Sequence, residues 1–265
     1  MNVLIVYAHP EPTSLNGSLL EFMVKRFESG GHTVQVSDLY AMKWKPTLDA
    51  DDFLNRDPGA PFDAMRDSKR AYAAGQQTDD ITREQEKLLW ADAVVMQFPL
   101  YWYSMPAIMK GWVERVYAYS FAYGVGEHSD KRWGDRFGEG KMAGKRAMLL
   151  VTAGGKESHY SPRGVNGPMD DLLFPIHHGI LYYPGFDVLP PFVAYKIGLG
   201  RVDADLYVSL TESLGKRIDE FWTAEPIPFR SQNGGDYDIP ALTLRPEVAP
   251  GQIGFEAHLR SDTKS

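Results

Sequence analysis

Short runs of consecutive apolar residues recur along this chain, and stretches with helical spacing lie between them. The first run, Val3-Leu4-Ile5-Val6-Tyr7-Ala8, has β-branched residues and no charge. That is the pattern of a strand covered on both faces. Leu19, Leu20, Met23, Val24 and Phe27 then fall on one side of a helix over residues 18–28, and Gly30-Gly31 stops it. The alternation predicts strands over 2–8, 33–38, 93–98, 147–152 and 186–189. It predicts further helices over 82–90, 106–119, 169–180 and 203–222, with Pro175 disturbing the third of these. Leu206, Val208, Leu210, Leu214, Ile218 and Phe221 are expected to face the core from the last helix. Strands alternating with helices imply an α/β fold, a doubly wound five-stranded parallel sheet with helices on both faces.

Residues 93–119 stand out. The uncharged run Ala93-Val94-Val95-Met96 reads as a central strand, and Gln97-Phe98-Pro99-Leu100-Tyr101-Trp102-Tyr103 as an aromatic loop. Ser104 is expected to cap the next helix, with Pro106 at an early position. Ligands of open α/β sheets sit outside the carboxyl ends of strands, so this loop is the first place to look for a flat ligand.

The loop after the first strand, 9–17, lacks the G-x-G-x-x-G fingerprint of a classical dinucleotide domain. Two readings stay open for Thr13, Ser14 and Asn16: donors around a phosphate at a helix N-terminus, or simple helix caps. After the fourth strand, Ala153-Gly154-Gly155 lets a flat or anionic ligand approach the backbone. The polar segment 156–167, with His159, Tyr160 and Asn166, reads as a cleft-lining loop.

Two stretches break the alternation. Residues 41–80 read as a long excursion with one or two short helices, and Asp49, Asp51 and Asp52 as a solvated acidic face. Beyond Trp222, glycines and prolines interrupt a tail too punctuated for a second core. The expected organisation is a domain over 1–222 and a long C-terminal arm over 223–265, packing on the domain or on a second subunit.

Composition narrows the function classes. A formal net charge of −7 over 265 residues argues against a nucleic-acid surface built from bulk positive charge. With no cysteine there is no disulfide and no thiolate nucleophile or ligand. The start, MNVLIVY, reads as a first strand, and no apolar run approaches a membrane span; a cytoplasmic location is the expectation. His177-His178 has no third ligand at useful spacing, so no metal is expected. Ser161 lacks a G-x-S-x-G elbow, which disfavours hydrolysis.

Several ordered motifs carry a resemblance. They are Ala8-His9 with Ser14 and Asn16, Ser37-Asp38-Leu39-Tyr40, Gln97-Phe98-Pro99-Leu100, and Pro106-Ala107-Ile108-Met109-Lys110-Gly111-Trp112. Phe121-Ala122-Tyr123, Thr152 with Gly154-Gly155, Tyr160-Ser161 and Gly179-Ile180-Leu181 follow in order. Across most of residues 1–222 the chain resembles the flavoprotein NAD(P)H dehydrogenases (quinone), the DT-diaphorase-like family. The resemblance implies a flavodoxin-like domain, a homodimer with flavin near the interface, and FAD rather than FMN. It further implies NADH or NADPH as hydride donor, a quinone as two-electron acceptor, and ping-pong exchange on one flavin face.

Carried over by position, His9, Thr13, Ser14, Leu15 and Asn16 surround the flavin phosphates. Pro99, Leu100, Tyr101, Trp102 and Tyr103 meet the ribityl chain and ring, and Thr152, Ala153, Gly154 and Gly155 approach the ring system from the other side. Trp102 and Tyr103 match the nicotinamide and quinone pocket, which Tyr123 and Tyr183 of a partner close. Tyr160, Asn166 and Gly154 form the implied catalytic set, with the Tyr160 phenol donating toward the flavin carbonyl. Two departures matter. Asn166 stands where the family has histidine, and asparagine takes no proton at neutral pH. Val125 stands where larger members have a second aromatic gate, and the insert 127–140 lies beside it. Trp112 reads as core, and Glu114 and Arg115 as a helix-surface or interface ion pair. Other readings are an azo- or nitroaromatic-reducing flavoenzyme, a flavin- or nucleotide-sensing regulatory subunit, and a one-electron carrier.

Overall fold

The computed structural model describes residues 1–197, 203–239 and 241–260. In chain order it contains β1 (Asn2–Tyr7), α1 (Leu15–Ser29), β2 (Thr33–Asp38), α2 (Ala64–Ala74), α3 (Asp79–Trp90), β3 (Ala93–Pro99) and α4 (Ala107–Val116). A small hairpin, β4 (His128–Ser129) and β5 (Arg132–Trp133), precedes β6 (Arg146–Thr152) and α5 (Met169–Ile176). Then come β7 (Asp187–Val188), β8 (Phe192–Ala194), α6 (Ala204–Asp219) and a second hairpin, β9 (Tyr237–Asp238) and β10 (Thr243–Leu244).

The main sheet runs β2-β1-β3-β6-β7, with β8 also paired to β6, and every pairing is parallel. This is the doubly wound sheet the alternation predicts. Its central strands are apolar without interruption because both faces are covered. Leu4, Val6, Val94, Met96, Ala147 and Leu149 pack toward α3 and α4 on one side. Val3, Ile5, Val95, Met148 and Leu150 pack toward α1 and α6 on the other.

The structure corrects several local expectations. The fifth strand is two short pieces, because Pro190 and Pro191 have no N–H for a ladder; β7 pairs with the start of β6 and β8 with its end. β3 runs on through Pro99, so the aromatic loop begins later than expected. Ser104 does not cap α4; its backbone pairs with Tyr101. The α4 helix ends at Val116, short of Tyr119. Pro175 sits inside α5, which gives way to a π-helical turn over His177–Tyr182. A proline nitrogen cannot close the i→i−4 ladder, and the wider turn follows directly. Val208 is 51% exposed, whereas Leu214, Ile218 and Phe221 are buried as expected.

The acidic face of the 41–80 excursion is not solvated at its centre. Asp52 is buried, and its Oδ1 accepts from Arg115 Nε at 3.0 Å, Arg115 Nη2 at 2.8 Å and Lys45 Nζ at 3.1 Å. Arg115 also meets Asp80 at 2.8 Å. Arg115 is therefore a buried anchor rather than half of a surface pair, and Glu114 pairs separately with Lys110. Two further contacts fasten α4. A Cβ at Gly111 would lie 1.9 Å from the Pro46 carbonyl oxygen, so only glycine allows this approach. Trp112 lies in the core as expected, its Nε1 donating to Glu84 Oε2 at 2.8 Å.

The segment beyond Trp222 lies against the π-helical turn and the 127–140 insert. Ile227 donates its N–H to the Val188 carbonyl at 2.7 Å, and Asn233 Nδ2 donates to Glu139 Oε2 at 2.6 Å. Residues 240 and 261–265 of that arm lie outside the described residues. Among the described residues no helix is long and apolar enough to cross a membrane.

Candidate functional site

Three loops leave the carboxyl ends of adjacent strands β1, β3 and β6. In register, Tyr7 faces Gln97 and Pro99 faces Thr152. Strand order reverses between β1 and β3, the point where such sheets place their ligand crevice.

The first loop is tied by short polar contacts. Ser14 caps α1, its Oγ accepting from the Gly17 amide at 3.2 Å and meeting His9 Nδ1 at 3.0 Å. A helix's first amides have no intrahelical acceptor, so the amides of Leu15 and Asn16 stay available to an anion. The Thr13 amide and Oγ1 both donate to Glu11 Oε1, at 2.8 and 2.6 Å. These bonds hold the Glu11 carboxyl below its usual range. Asn16 differs from its neighbours. It is buried, its Nδ2 donates to Thr152 Oγ1 at 3.0 Å, and its carbonyl accepts from Gln97 Nε2 at 2.7 Å. Asn16 and Thr152 thus stitch the first loop to the end of β6. Burial pushes the Tyr7 phenol beneath this loop up to about 12, which keeps it neutral.

The second loop is backed by one bond, the Leu100 amide donating to the Thr152 carbonyl at 2.8 Å. It then makes a two-residue turn. Tyr101 and Ser104 exchange both backbone hydrogen bonds, at 3.0 and 3.1 Å, while Trp102 and Tyr103 hold φ of +49° and +64°. Two left-handed residues in succession suit Asn-Gly, not Trp-Tyr. Each costs about 1–3 kcal/mol in this conformation, and such strain clusters at ligand clamps. The turn projects its rings outward, with Trp102 93% exposed and Tyr101 and Tyr103 about half exposed.

The third loop supplies the opposite wall. Ala153 is buried and fixed by the Ala194 carbonyl at 2.8 Å, while Gly154 is exposed. A Cβ at Gly155 would stand 3.0 Å from a Tyr160 ring carbon and 3.1 Å from His159 Nδ1, so the missing side chain lets the Tyr160 ring close over the backbone. Tyr160 is partly buried and leans on Tyr195 at 5.8 Å between centroids. Asn166 does not reach Tyr160 by a hydrogen bond; its Oδ1 accepts from the Tyr103 hydroxyl at 3.1 Å. His159 is exposed.

Tyr123 and Tyr183, expected to close the pocket from a partner subunit, and Val125 beside them make these contacts within their own chain. Tyr123 packs edge-on against Tyr119 at 5.2 Å, and the Val125 carbonyl accepts from the Asp135 amide at 2.8 Å. Tyr183 meets Phe137 edge-on at 4.9 Å. Among the described residues no hydrogen bond or ring pairing joins these three to Trp102, Tyr103 or Tyr160. His177 and His178 have ring nitrogens without partners, and burial pulls both down to about 4. No group of three His, Cys, Asp or Glu residues able to hold a metal ion exists among the described residues.

Residue-level reading placed Gln97 in the ligand loop without giving it a role, and passed over Glu11. Gln97 is fully buried at the end of β3, with Oε1 lacking a partner. A glutamine closing an apolar strand was the visible signal. Glu11 left none, because its role depends on how the loop folds back. Taken together, the site offers free helix-end amides, a glycine-backed wall and an outward aromatic turn. These fit a flat ring bearing an anionic tail, which is the shape of a flavin nucleotide.

Comparison with known proteins bears on the family. A family profile described as a flavodoxin-like fold matches residues 1–215. The chain is 53% identical over 267 residues to a ribosyldihydronicotinamide dehydrogenase-like protein of Penicillium crustosum, covering 100% of this chain and 98% of that one. It is 38% identical to the rat NAD(P)H dehydrogenase (quinone) 1, over 94% of this chain and 88% of the relative. A solved Klebsiella pneumoniae protein assigned as a quinone reductase is 61% identical and superposes with a TM-score of 0.95, covering 98% of this chain and 100% of that one.

Proposed function

The chain belongs to the flavodoxin-like NAD(P)H:quinone oxidoreductase family, and from that premise we propose that it reduces quinones by two electrons through a flavin held at the ends of β1, β3 and β6. In this reading the flavin is FAD rather than FMN, the donor is NADH or NADPH, and the working unit is a homodimer. Bound flavin supplies the carrier that accepts two electrons from a dihydronicotinamide and passes them to the acceptor.

The chain's own residues bind, orient and shield. The amides of Leu15 and Asn16 and the Ser14 cap receive the anionic tail, with Glu11 yielding the Thr13 donors to it. Trp102 and Tyr103 form one wall of the slot, and the Gly154-Gly155 backbone the other. Tyr160 presents a phenol donor where negative charge collects on the ring's carbonyl edge. Asn166 holds Tyr103 and carries no proton, so no relay through position 166 is invoked. Donor and acceptor taking the same ring face in turn gives ping-pong kinetics. The observation that carries the reading is the left-handed Trp102-Tyr103 turn after β3, bonded through Tyr103 to the loop that follows the glycines at the end of the adjacent β6.

The test is an absorbance spectrum of the purified protein with identification of the released flavin, followed by initial rates with NADH, NADPH and ribosyldihydronicotinamide against a quinone. We expect bound FAD, oxidation of the donor that depends on quinone, and parallel double-reciprocal lines. Flavin-free protein that binds no added flavin, or donor oxidation indifferent to quinone, would contradict the reading. Release of FMN, or intersecting lines, would overturn its FAD or ping-pong part.

A further inference from the structure

We propose that the Tyr103–Asn166 hydrogen bond is a latch that sets the width of the slot, making Asn166 a positioning residue for the acceptor. The inference rests on reading the slot as the flavin and acceptor site, and it deepens that reading.

The bond spans two loops that leave different strands, 63 residues apart in sequence. Among the described residues it is the one hydrogen bond joining the 101–104 turn to the 156–167 loop. Each of its ends is held by its own loop. Tyr103 sits in a left-handed turn closed by the paired Tyr101 and Ser104 backbones. The Asn166 amide donates to the His159 carbonyl at 3.0 Å, closing a loop whose second residue is Tyr160. Inside that loop the Gly164 amide donates to the Ser161 carbonyl at 2.9 Å, and a Cβ at Gly164 would come within 2.2 Å of the His159 carbonyl oxygen. The loop is therefore tight. A shift at Asn166 is carried to Tyr160 and toward the Gly155 backbone it covers.

A single bond between two stiff pieces fixes a distance more effectively than one between flexible chains, because little entropy remains to be lost. The bond lies at the slot's mouth, flanked by the exposed side chains of Trp102 and Val165. There it governs what enters more than what is already seated. This assigns the asparagine a role that needs no titration. Its carboxamide is a neutral acceptor for a phenol at any pH near neutral.

The experiment compares wild type, Tyr103→Phe, Asn166→Leu and the double variant. In flavin-free protein, hydrogen–deuterium exchange of peptides covering 156–167 should quicken by about three- to tenfold in each single variant, the range expected for losing one neutral hydrogen bond. Exchange in β3 should not change. In flavin-loaded protein, KM for the quinone should rise by a similar factor, and by more than kcat falls. The double variant should be no worse than either single, since both remove the same bond. Unchanged exchange in Tyr103→Phe, single-variant effects that multiply, or faster exchange without a rise in KM would each overturn the latch. Coupled exchange effects in a protein that neither binds flavin nor reduces quinone would overturn the functional reading and with it the positioning role, while leaving the two loops physically joined.

Discussion

The two ends of α4 are built in opposite ways. At its carboxyl end Arg115 is buried between Asp52 and Asp80, and Gly111 and Trp112 are seated against Pro46 and Glu84. Burial alone would weaken the Arg115 charge, but the two carboxylates outweigh it and raise the guanidinium's proton affinity. Before its amino end stand two aromatic residues in a left-handed turn with little around them. The contrast explains how the strain persists. A turn costing about 1–3 kcal/mol per residue survives only where the surrounding structure over-determines it. Here β3 fixes one side of the turn and an anchored helix the other.

The sharpest way to break this comparison is to loosen the anchor. Arg115→Met leaves Asp52 buried with Lys45 as its one cation and the Asp49 amide as its other donor. Breaking a buried pair from one side costs about 3–5 kcal/mol. Urea denaturation of the flavin-free protein should report a loss of that size. A loss below about 1 kcal/mol would mean the ionic cluster does not hold α4.

A second buried element sharpens the same contrast. His177 lies in the π-helical turn, 3% exposed, with Nε2 unpartnered, and burial brings it from 6.5 to about 4. Between those values the unfolded chain binds a proton that the folded chain does not. The stability it contributes is therefore fully present above about 6.5 and is lost as pH falls toward 4, by about 3 kcal/mol. His177→Phe should remove about half of the acid loss, because His178, also brought down to about 4 by burial, keeps its own share. Thermal melts of both proteins at pH 7 and pH 4.5 check it, and parallel losses would show that His177 does not carry the acid sensitivity.

The difference between the two ends also explains what could be read in advance. The uncharged runs at 3–8, 93–96 and 147–152 mark the central strands because burial on both faces leaves one composition possible. Trp112 was legible as core because it shares the helical spacing of Ile108, Val113 and Val116. Arg115 was not, since its partners Asp52 and Asp80 lie in and at the end of an excursion that has no periodicity to place them. The aromatic loop was legible as a ligand site, but its left-handed turn was not, because Trp-Tyr carries no turn signal. The Tyr103–Asn166 bond was equally hidden, for it depends on two loops meeting in space.

The strained turn gives the smallest stability change and the most direct test. Trp102→Asn combined with Tyr103→Gly keeps the turn and supplies the residues it favours, while deleting both rings. If the strain is held for the sake of a ligand, the flavin-free variant should melt higher, by an equivalent of about 1–2 kcal/mol. Its flavin affinity, measured by titration of the flavin-free protein, should fall at least about tenfold. Higher stability with weaker flavin binding is the result predicted. Flavin binding as tight as in the wild type would contradict the account, because the turn would then be strained for some other reason.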